Sequence, residues 1–346
     1  MLNFPVVGLA PVDGVTDVVF RRIVDETSSP DILYTEFIPV DGLLSENPAL
    51  YRMFLRHPTK TPIFAQLLGS NPHSFYKTTI IALELGFDGI DINMGCPDKN
   101  VFKKQAGAAL ILDAVLAQKI ILSVKEAVRD WSMGILYTDL SLPKSILEII
   151  GKIKLTQNHP ERKKVPVSVK TRTGYQKPNI KQWISKLLET EPDIITVHGR
   201  TFTQGYLGKA DWKEIEKAAV LAKNSKTKIF GNGDIKNLQE AKNAIGRHGV
   251  SGVLIARTAF GNPWIFGNHN PAADEKLHMI LYHAKLFDWY FPNGNFKTLR
   301  KHFAWYAKSL RNSTALKTQL MATKKIQDVK KILMSYSLLN NLEFNR

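Results

Sequence analysis

The chain has 346 residues, 44% of them apolar and 23% charged, which is enough for a sizeable core and excludes wholesale disorder. One cysteine, Cys96, excludes an intramolecular disulfide and a cysteine-cluster metal site, and no metal is expected. Lys and Arg number 47 against 31 Asp and Glu, a net charge of +16. There is no apolar run of about 18 residues to span a membrane, and the opening MLNFPVVGLAP has no basic start before its apolar run. A cytoplasmic protein with no membrane association is therefore expected.

In chain order, the short apolar runs Val6–Pro11, Ile32–Phe37, Pro62–Leu67, Gly89–Met94, Val165–Arg172, Ile194–Arg200, Thr227–Gly233 and Gly252–Arg257 read as strands. Most lack polar alternation, as strands covered on both faces do. Helical spacing separates them at Pro72–Gly86, Asn179–Glu191, Lys213–Lys223 and Leu238–His248, with Gly86 and Gly249 placed as C-terminal caps. Eight strands alternating with helices predict an α/β fold, a closed (β/α)8 TIM barrel. A doubly wound open sheet is the competitor, but no nucleotide fingerprint follows the first strand. Roughly seventy residues separate the fourth and fifth strands, and Ser132–Ile150 reads there as an inserted or irregular segment.

Beyond Gly267 the pattern turns helical at Glu275–Tyr290, Phe296–Arg311 and Thr323–Met334, after a linker at Asn268–Pro271. Two domains are expected, a barrel over 1–267 and a small C-terminal helical domain over 268–346. Residues 275–346 hold thirteen Lys or Arg against four Asp or Glu, a net of +9. Such a surplus suits a polyanion, although charge alone fits a high-pI protein with no nucleic-acid role equally well.

Barrel active sites lie at the C-terminal strand ends. Here those ends carry Asp13, Glu36, Gln66, Asn93, Lys170 with Arg172, His198 with Arg200, Asn232 with Asp234, and Arg257. Gly231-Asn232-Gly233-Asp234 and Ala256-Arg257 follow the seventh and eighth strands, the usual phosphate seat of barrels, and glycine with arginine suits an anion. Cys96 sits just past the fourth strand in Met94-Gly95-Cys96-Pro97-Asp98. A thiol there is a buried structural group, a nucleophile or a proton donor, and spacing alone does not choose among them.

The ordered series of motifs resembles the tRNA-dihydrouridine synthases. It runs APVDGVTD at 10–17, Glu36-Phe37, Gln66-Leu67, DINMGCP at 91–97, VPVSVKTRTG at 165–174 and VHGRTFTQGY at 197–206. GNGDI at 231–235, IARTAFGNPWIF at 255–266 and Arg300-Lys301-His302 with Trp305-Tyr306 complete it. Asn100 stands before Val101 where many members carry lysine, and Asp13 stands where a small residue is common.

The resemblance implies a barrel enzyme that reduces the C5=C6 bond of specific uridines in tRNA, with FMN as cofactor and NADPH as the electron donor. It implies that Pro11, Val12 and Asp13 line the flavin, that Gln66 and Lys170 hydrogen-bond its ring, and that His198 lies close by. Asn232, Gly233, Asp234, Ala256 and Arg257 would hold its phosphate. Cys96 matches the family's general acid, with His198 the second catalytic candidate. Lys99, Arg172, Arg200, Lys297, Arg300 and Lys301 are expected to meet the RNA, and the protein to act as a monomer. The alternative is an FMN barrel oxidoreductase acting on a small molecule, like a dihydroorotate dehydrogenase or an ene-reductase. That reading leaves the basic tail without a role, and a binding protein without catalysis leaves Cys96 unexplained.

Overall fold

A computed structural model describes residues 2–44, 47–156, 162–340, 342 and 344. Eight parallel strands form one sheet: β1 Val6–Leu9, β2 Leu33–Pro39, β3 Ile63–Leu68, β4 Gly89–Met94, β5 Val167–Arg172, β6 Ile194–His198, β7 Lys228–Asn232 and β8 Gly252–Ile255. The ladder runs β1-β8-β7-β6-β5-β4-β3-β2. Leu9 N donates to Ile32 O at 3.0 Å and Asp31 N to Val7 O at 3.0 Å, which joins the two ends and closes the barrel. Val6, Tyr34, Phe64, Ile194, Phe230 and Leu254 fill its interior as one buried cluster. The expected strands are all present, several of them shorter at the C-terminal end because Pro11, Arg200 and Arg257 already belong to loops or turns. β2 instead runs on to Pro39, with a register irregularity between Tyr34 and Phe37.

The helices begin and stop where local chemistry directs. Asn71 caps Pro72–Glu84 by accepting from His73 N at 2.9 Å, and proline occupies the first helical turn, where its missing N–H costs nothing. Asn237 caps Leu238–His248, which ends on Gly249 at φ +62°, a left-handed position that glycine takes without strain.

The long β4–β5 connection is more regular than expected. Helix Ala114–Ser132, a turn at Tyr137–Asp139 and helix Lys144–Leu155 occupy it. Its anchor is Glu84, a buried carboxylate that accepts from Trp131 Nε1 at 2.8 Å, Arg162 Nη2 at 2.7 Å and Lys154 Nζ at 2.5 Å. Trp131, the largest fully buried side chain, carries the Arg162 guanidinium over its ring at 5.8 Å.

The chain divides into two compact units, residues 1–18 with 30–256 and residues 19–29 with 257–346. The division falls at 256/257, where sequence had suggested 267/268, and the second unit recruits the helix that follows β1. Among its described residues the second unit contains most of Val18–Ser28, Ala273–Tyr290, Arg300–Tyr306, Ser313–Met321 and Ile326–Asn340. Phe20, Ile23, Leu277, Ile280, Phe303, Leu316, Val329 and Leu333 build its core. The helix Ser313–Met321 was not expected, and Phe296–Arg311 resolves into 3-10 turns flanking Arg300–Tyr306. Among the described residues no helix is long and apolar enough to cross a membrane.

Candidate active site

Register places the polar strand ends beside one another. Gln66 pairs with Asp91, Asn93 with Lys170, Arg172 with His198, and His198 with Asn232. Residues two apart on a strand share a face, so Asp91 and Asn93 point the same way, as do Lys170 and Arg172.

Gln66 sits within a buried chain of hydrogen bonds. Its Nε2 donates to Asp91 Oδ2 at 2.6 Å, its Oε1 accepts from Asn93 Nδ2 at 2.9 Å, and its backbone N–H donates to Thr35 Oγ1 at 2.9 Å. Ser168 Oγ donates to the other oxygen of Asp91. Burial pushes the Asp91 carboxyl up and the Gln66 and Ser168 bonds pull it back. Asp91 and Ser168 were missed in the sequence, although a carboxylate two residues before Asn93 in an otherwise apolar strand marks a polar stripe on one face.

Lys170 is half-buried, and no described residue accepts a hydrogen bond from its ammonium. Burial lowers its proton affinity, the Arg172 charge adds to this, and Asp91 and Cys96 oppose it.

Cys96 is half-buried on the loop after β4. Burial pushes its thiol above the usual range; the Asp98 backbone N–H opposes this, the Asp98 and Asp13 carboxylates add to it, and Arg172 opposes it. The thiol therefore stays protonated near neutral pH. Lys99 is exposed at the start of the helix Lys99–Lys103, which Asp98 caps by accepting from Asn100 N at 2.8 Å.

Arg172 and Arg200, expected to meet the RNA, lie buried and bonded within the barrel. Each is 2% exposed. Arg172 donates to Gly95 O, Thr201 O and Gly205 O at 2.7, 3.0 and 2.9 Å, and burial lowers its pKa to about 10. Arg200 forks onto Asp234 at 2.7 and 2.8 Å, reaches Gly208 O at 2.7 Å and approaches His198 Nε2 at 3.2 Å. A guanidinium only donates, so Nε2 is the acceptor and Nδ1 of His198 carries the proton.

Asp234 also accepts from Ala210 N at 2.7 Å, which commits its carboxylate to the protein and leaves backbone as what this turn has to give an anion. Asn232 is committed likewise, its Nδ2 donating to Leu254 O at 2.7 Å. Between them Gly233 adopts φ +129°, and a Cβ there would lie 2.6 Å from Ala210 Cβ and 3.1 Å from the His198 ring. Pro11 and Val12 are half-buried and Asp13 is exposed, in a turn held by Val12 N on Thr16 Oγ1 at 3.0 Å. Ala256 ends the first unit, and exposed Arg257 opens the second with the 3-10 turn Arg257–Ala259.

The rim above β4–β6 is aromatic. Phe102, Tyr175 and Phe202, all half-buried, stack with ring centroids 4.6–5.4 Å apart. Phe202 N donates to Gly174 O at 2.9 Å and Thr203 N to Tyr175 O at 3.1 Å, so two of these loops are zipped together.

The family model for dihydrouridine synthase (Dus) matches residues 8–132 and 144–343. The chain belongs to the dihydrouridine synthase family. It is 30% identical over 334 residues to a probable tRNA-dihydrouridine synthase of Staphylococcus aureus (strain COL), covering 94% of this chain and 91% of that one. It is 29% identical over 340 residues to a probable tRNA-dihydrouridine synthase 1 of Synechocystis sp., covering 94% and 84%. Among solved structures, DHODH in complex with ferulenol from Eimeria tenella aligns at 13% identity and TM-score 0.49, covering 75% of this chain and 78% of that one. The family match of this dihydrouridine synthase breaks only within the β4–β5 connection, between residues 132 and 144, where the Tyr137–Asp139 turn lies.

In the second unit Lys297 is exposed, while Arg300 and Lys301 are half-buried and Arg300 Nη2 donates to Thr323 O at 3.3 Å. Lys297 is the best exposed of the three to meet a phosphate.

Proposed function

We propose that the protein reduces the C5=C6 bond of uridine in tRNA, using FMN and NAD(P)H, with Cys96 as proton donor. The observation that carries this reading is a thiol on the loop after β4 and, on the adjacent strand β5, an ammonium that no described residue satisfies, both toward the strand ends of a closed barrel. Lys170 is suited to a cofactor rich in acceptors that gains negative charge on reduction, and the Gln66 amide between Asp91 and Asn93 is held rigid for a ring edge. The backbone of the Gly233–Asp234 turn is suited to its phosphate. When bound, FMN supplies the hydride that reaches C6 of uracil.

The protein's own contribution is position and a proton. As C6 is reduced, the Cys96 S–H bond breaks, a C–H bond forms at C5, and sulfur keeps the electron pair. Solvent returns the proton afterwards. Should Cys96→Ala modify tRNA at the wild-type rate, the acid would be another group, with His198, held by Arg200, the next candidate.

The names of the curated relatives support tRNA as the substrate, and the +9 charge of residues 275–346 supports contact with its phosphates. A uridine inside folded tRNA must be extruded to reach a barrel mouth, which gives the basic second unit its role in holding the RNA. The same reading places the enzyme in the cytoplasm, acting as a monomer. Incubating the purified protein with unmodified tRNA and NADPH, then scoring dihydrouridine by mass spectrometry at each position, tests it. Dihydrouridine is expected. NADPH oxidation stimulated by a small unsaturated acceptor, with no change in the tRNA, would assign the site to small-molecule chemistry.

A further inference from the structure

We propose that Arg172 is the positioning residue for Cys96, pinning the peptide that carries the thiol and facing it with an unneutralised positive charge. The proposal rests on Cys96 being the proton donor.

The geometry concerns one peptide plane. The amide joining Gly95 to Cys96 has its carbonyl oxygen 2.7 Å from Arg172 Nε and its N–H 2.9 Å from Asn93 Oδ1. In a trans peptide these two groups point in opposite directions, so the plane is gripped from both sides. The next carbonyl, Cys96 O, accepts from Ala108 N at 3.2 Å, and Pro97 has no N–H to satisfy. Both peptides flanking the Cys96 Cα are thus fixed, and with them the direction of the Cα–Cβ bond.

Arg172 can hold this plane because it is itself immobile. Its Nη1 bonds Thr201 O and Gly205 O, at the two ends of the turn after β6, and its guanidinium lies 5.8 Å from the Tyr206 ring centroid. One side chain therefore ties the thiol loop to the rim loop. All three acceptors are neutral carbonyls, and no carboxylate of a described residue pairs with the guanidinium. Its charge acts on the pocket undiminished.

Four charged groups face the thiol electrostatically. The Asp98 and Asp13 carboxylates disfavour the thiolate, whereas Arg172, Lys170 and, more strongly than its own carboxylate opposes it, the Asp98 backbone N–H favour it. When Cys96 gives up its proton, Arg172 stabilises the negative sulfur that remains.

The chain holds a single cysteine, so alkylation by iodoacetamide reports on Cys96 alone. The experiment follows the alkylation rate against pH in the flavin-loaded protein for wild type, Arg172→Gln and Arg172→Lys, with melting temperature and flavin content recorded for each. In Arg172→Gln the alkylation midpoint should rise, because an opposite charge near a thiolate has gone. Arg172→Lys should return the midpoint toward wild type, while its dihydrouridine formation stays reduced because a single ammonium nitrogen lacks the fork whose Nε and Nη1 reach carbonyls on two different loops. A midpoint unchanged in a folded, flavin-loaded Arg172→Gln overturns the proposal. If the Gln variant does not fold, the Lys variant decides alone: wild-type turnover at wild-type midpoint removes the positioning role. Wild-type dihydrouridine formation in Cys96→Ala would instead overturn the proton-donor reading, whatever the alkylation profiles show.

Discussion

In the barrel, Asp91, Arg172, Arg200 and Glu84 are buried with their charged atoms hydrogen-bonded, each by groups from distant parts of the chain. In the helical unit, His283 and His302 are buried side by side, ring centroids 4.6 Å apart, with His283 Nε2 and His302 Nδ1 lacking any partner. Burial pushes His283 down to about 3 and His302 well below its usual range, the latter helped by its neighbour and by Lys301. These four barrel groups are ions met by partners, which fixes geometry. In the helical unit these two imidazoles are kept neutral and serve as ring-shaped packing against Phe20 and Trp305.

The largest effect expected from that contrast is on the reaction itself. Cys96→Ala should leave the flavin reducible by NADPH yet slow dihydrouridine formation by about 10²–10⁴-fold, the usual worth of general acid catalysis. Stopped-flow flavin reduction together with single-turnover tRNA assays separates the two half-reactions. Equal slowing of both would mean that Cys96 holds the cofactor site and does not deliver the proton.

Glu84→Ala should cost about 2 kcal/mol. The full penalty for orphaning a buried charge is discounted here because Lys154 and Arg162 are 28% and 33% exposed and can recruit water. A urea midpoint shifted down with an unchanged slope is the expected signature. No shift would show that the β4–β5 insertion is held by Trp131 packing alone.

For the helical unit, the sign of the pH effect follows from the depressed histidines. Between pH 3 and about 6.5 the unfolded chain binds protons that the folded unit refuses, so stability falls as pH falls through that window. Each ring adds up to about 1.4 kcal/mol per pH unit there, and above pH 7 neither contributes. Melting curves from pH 7.5 to 5 on wild type and His283→Leu test this, and the variant should have the flatter dependence. Identical slopes would place the acid sensitivity elsewhere.

The smallest effect belongs to the surface. Lys297→Ala with Lys301→Ala should weaken tRNA binding and reduce the log–log salt slope by about 0.7–0.9 for each phosphate that is no longer neutralised. A stable double variant with an unaltered slope removes this face from the RNA footprint.

Much of the barrel was legible in the sequence because strands covered on both faces are written as unbroken apolar runs, such as Ile90, Ile92 and Met94 around Asp91 and Asn93. The glycine and proline beside Cys96 marked its loop for the same kind of local reason. What escaped was decided by partners far along the chain. Arg172 and Arg200 look like RNA-facing cations until loops up to 77 residues away supply carbonyls and a carboxylate. Glu84 finds Trp131, Lys154 and Arg162 from 47 to 78 residues onward, across the segment that read as irregular. The helix Ser313–Met321 was missed because only Leu316 and Leu320 of its residues are buried, too narrow an apolar stripe to announce a helix.

The helix after β1 carries a last consequence. Phe20, Ile23 and Val24 are fully buried, yet Val19–Ser29 belongs to the unit completed by residues 257–346. On the ribosome this segment is made more than two hundred residues before His283 and His302, the rings that Phe20 packs against. A chain cut at residue 256 would lack the rings that Phe20 packs against, so separating the barrel for study calls for redesigning this helix rather than only choosing an end point.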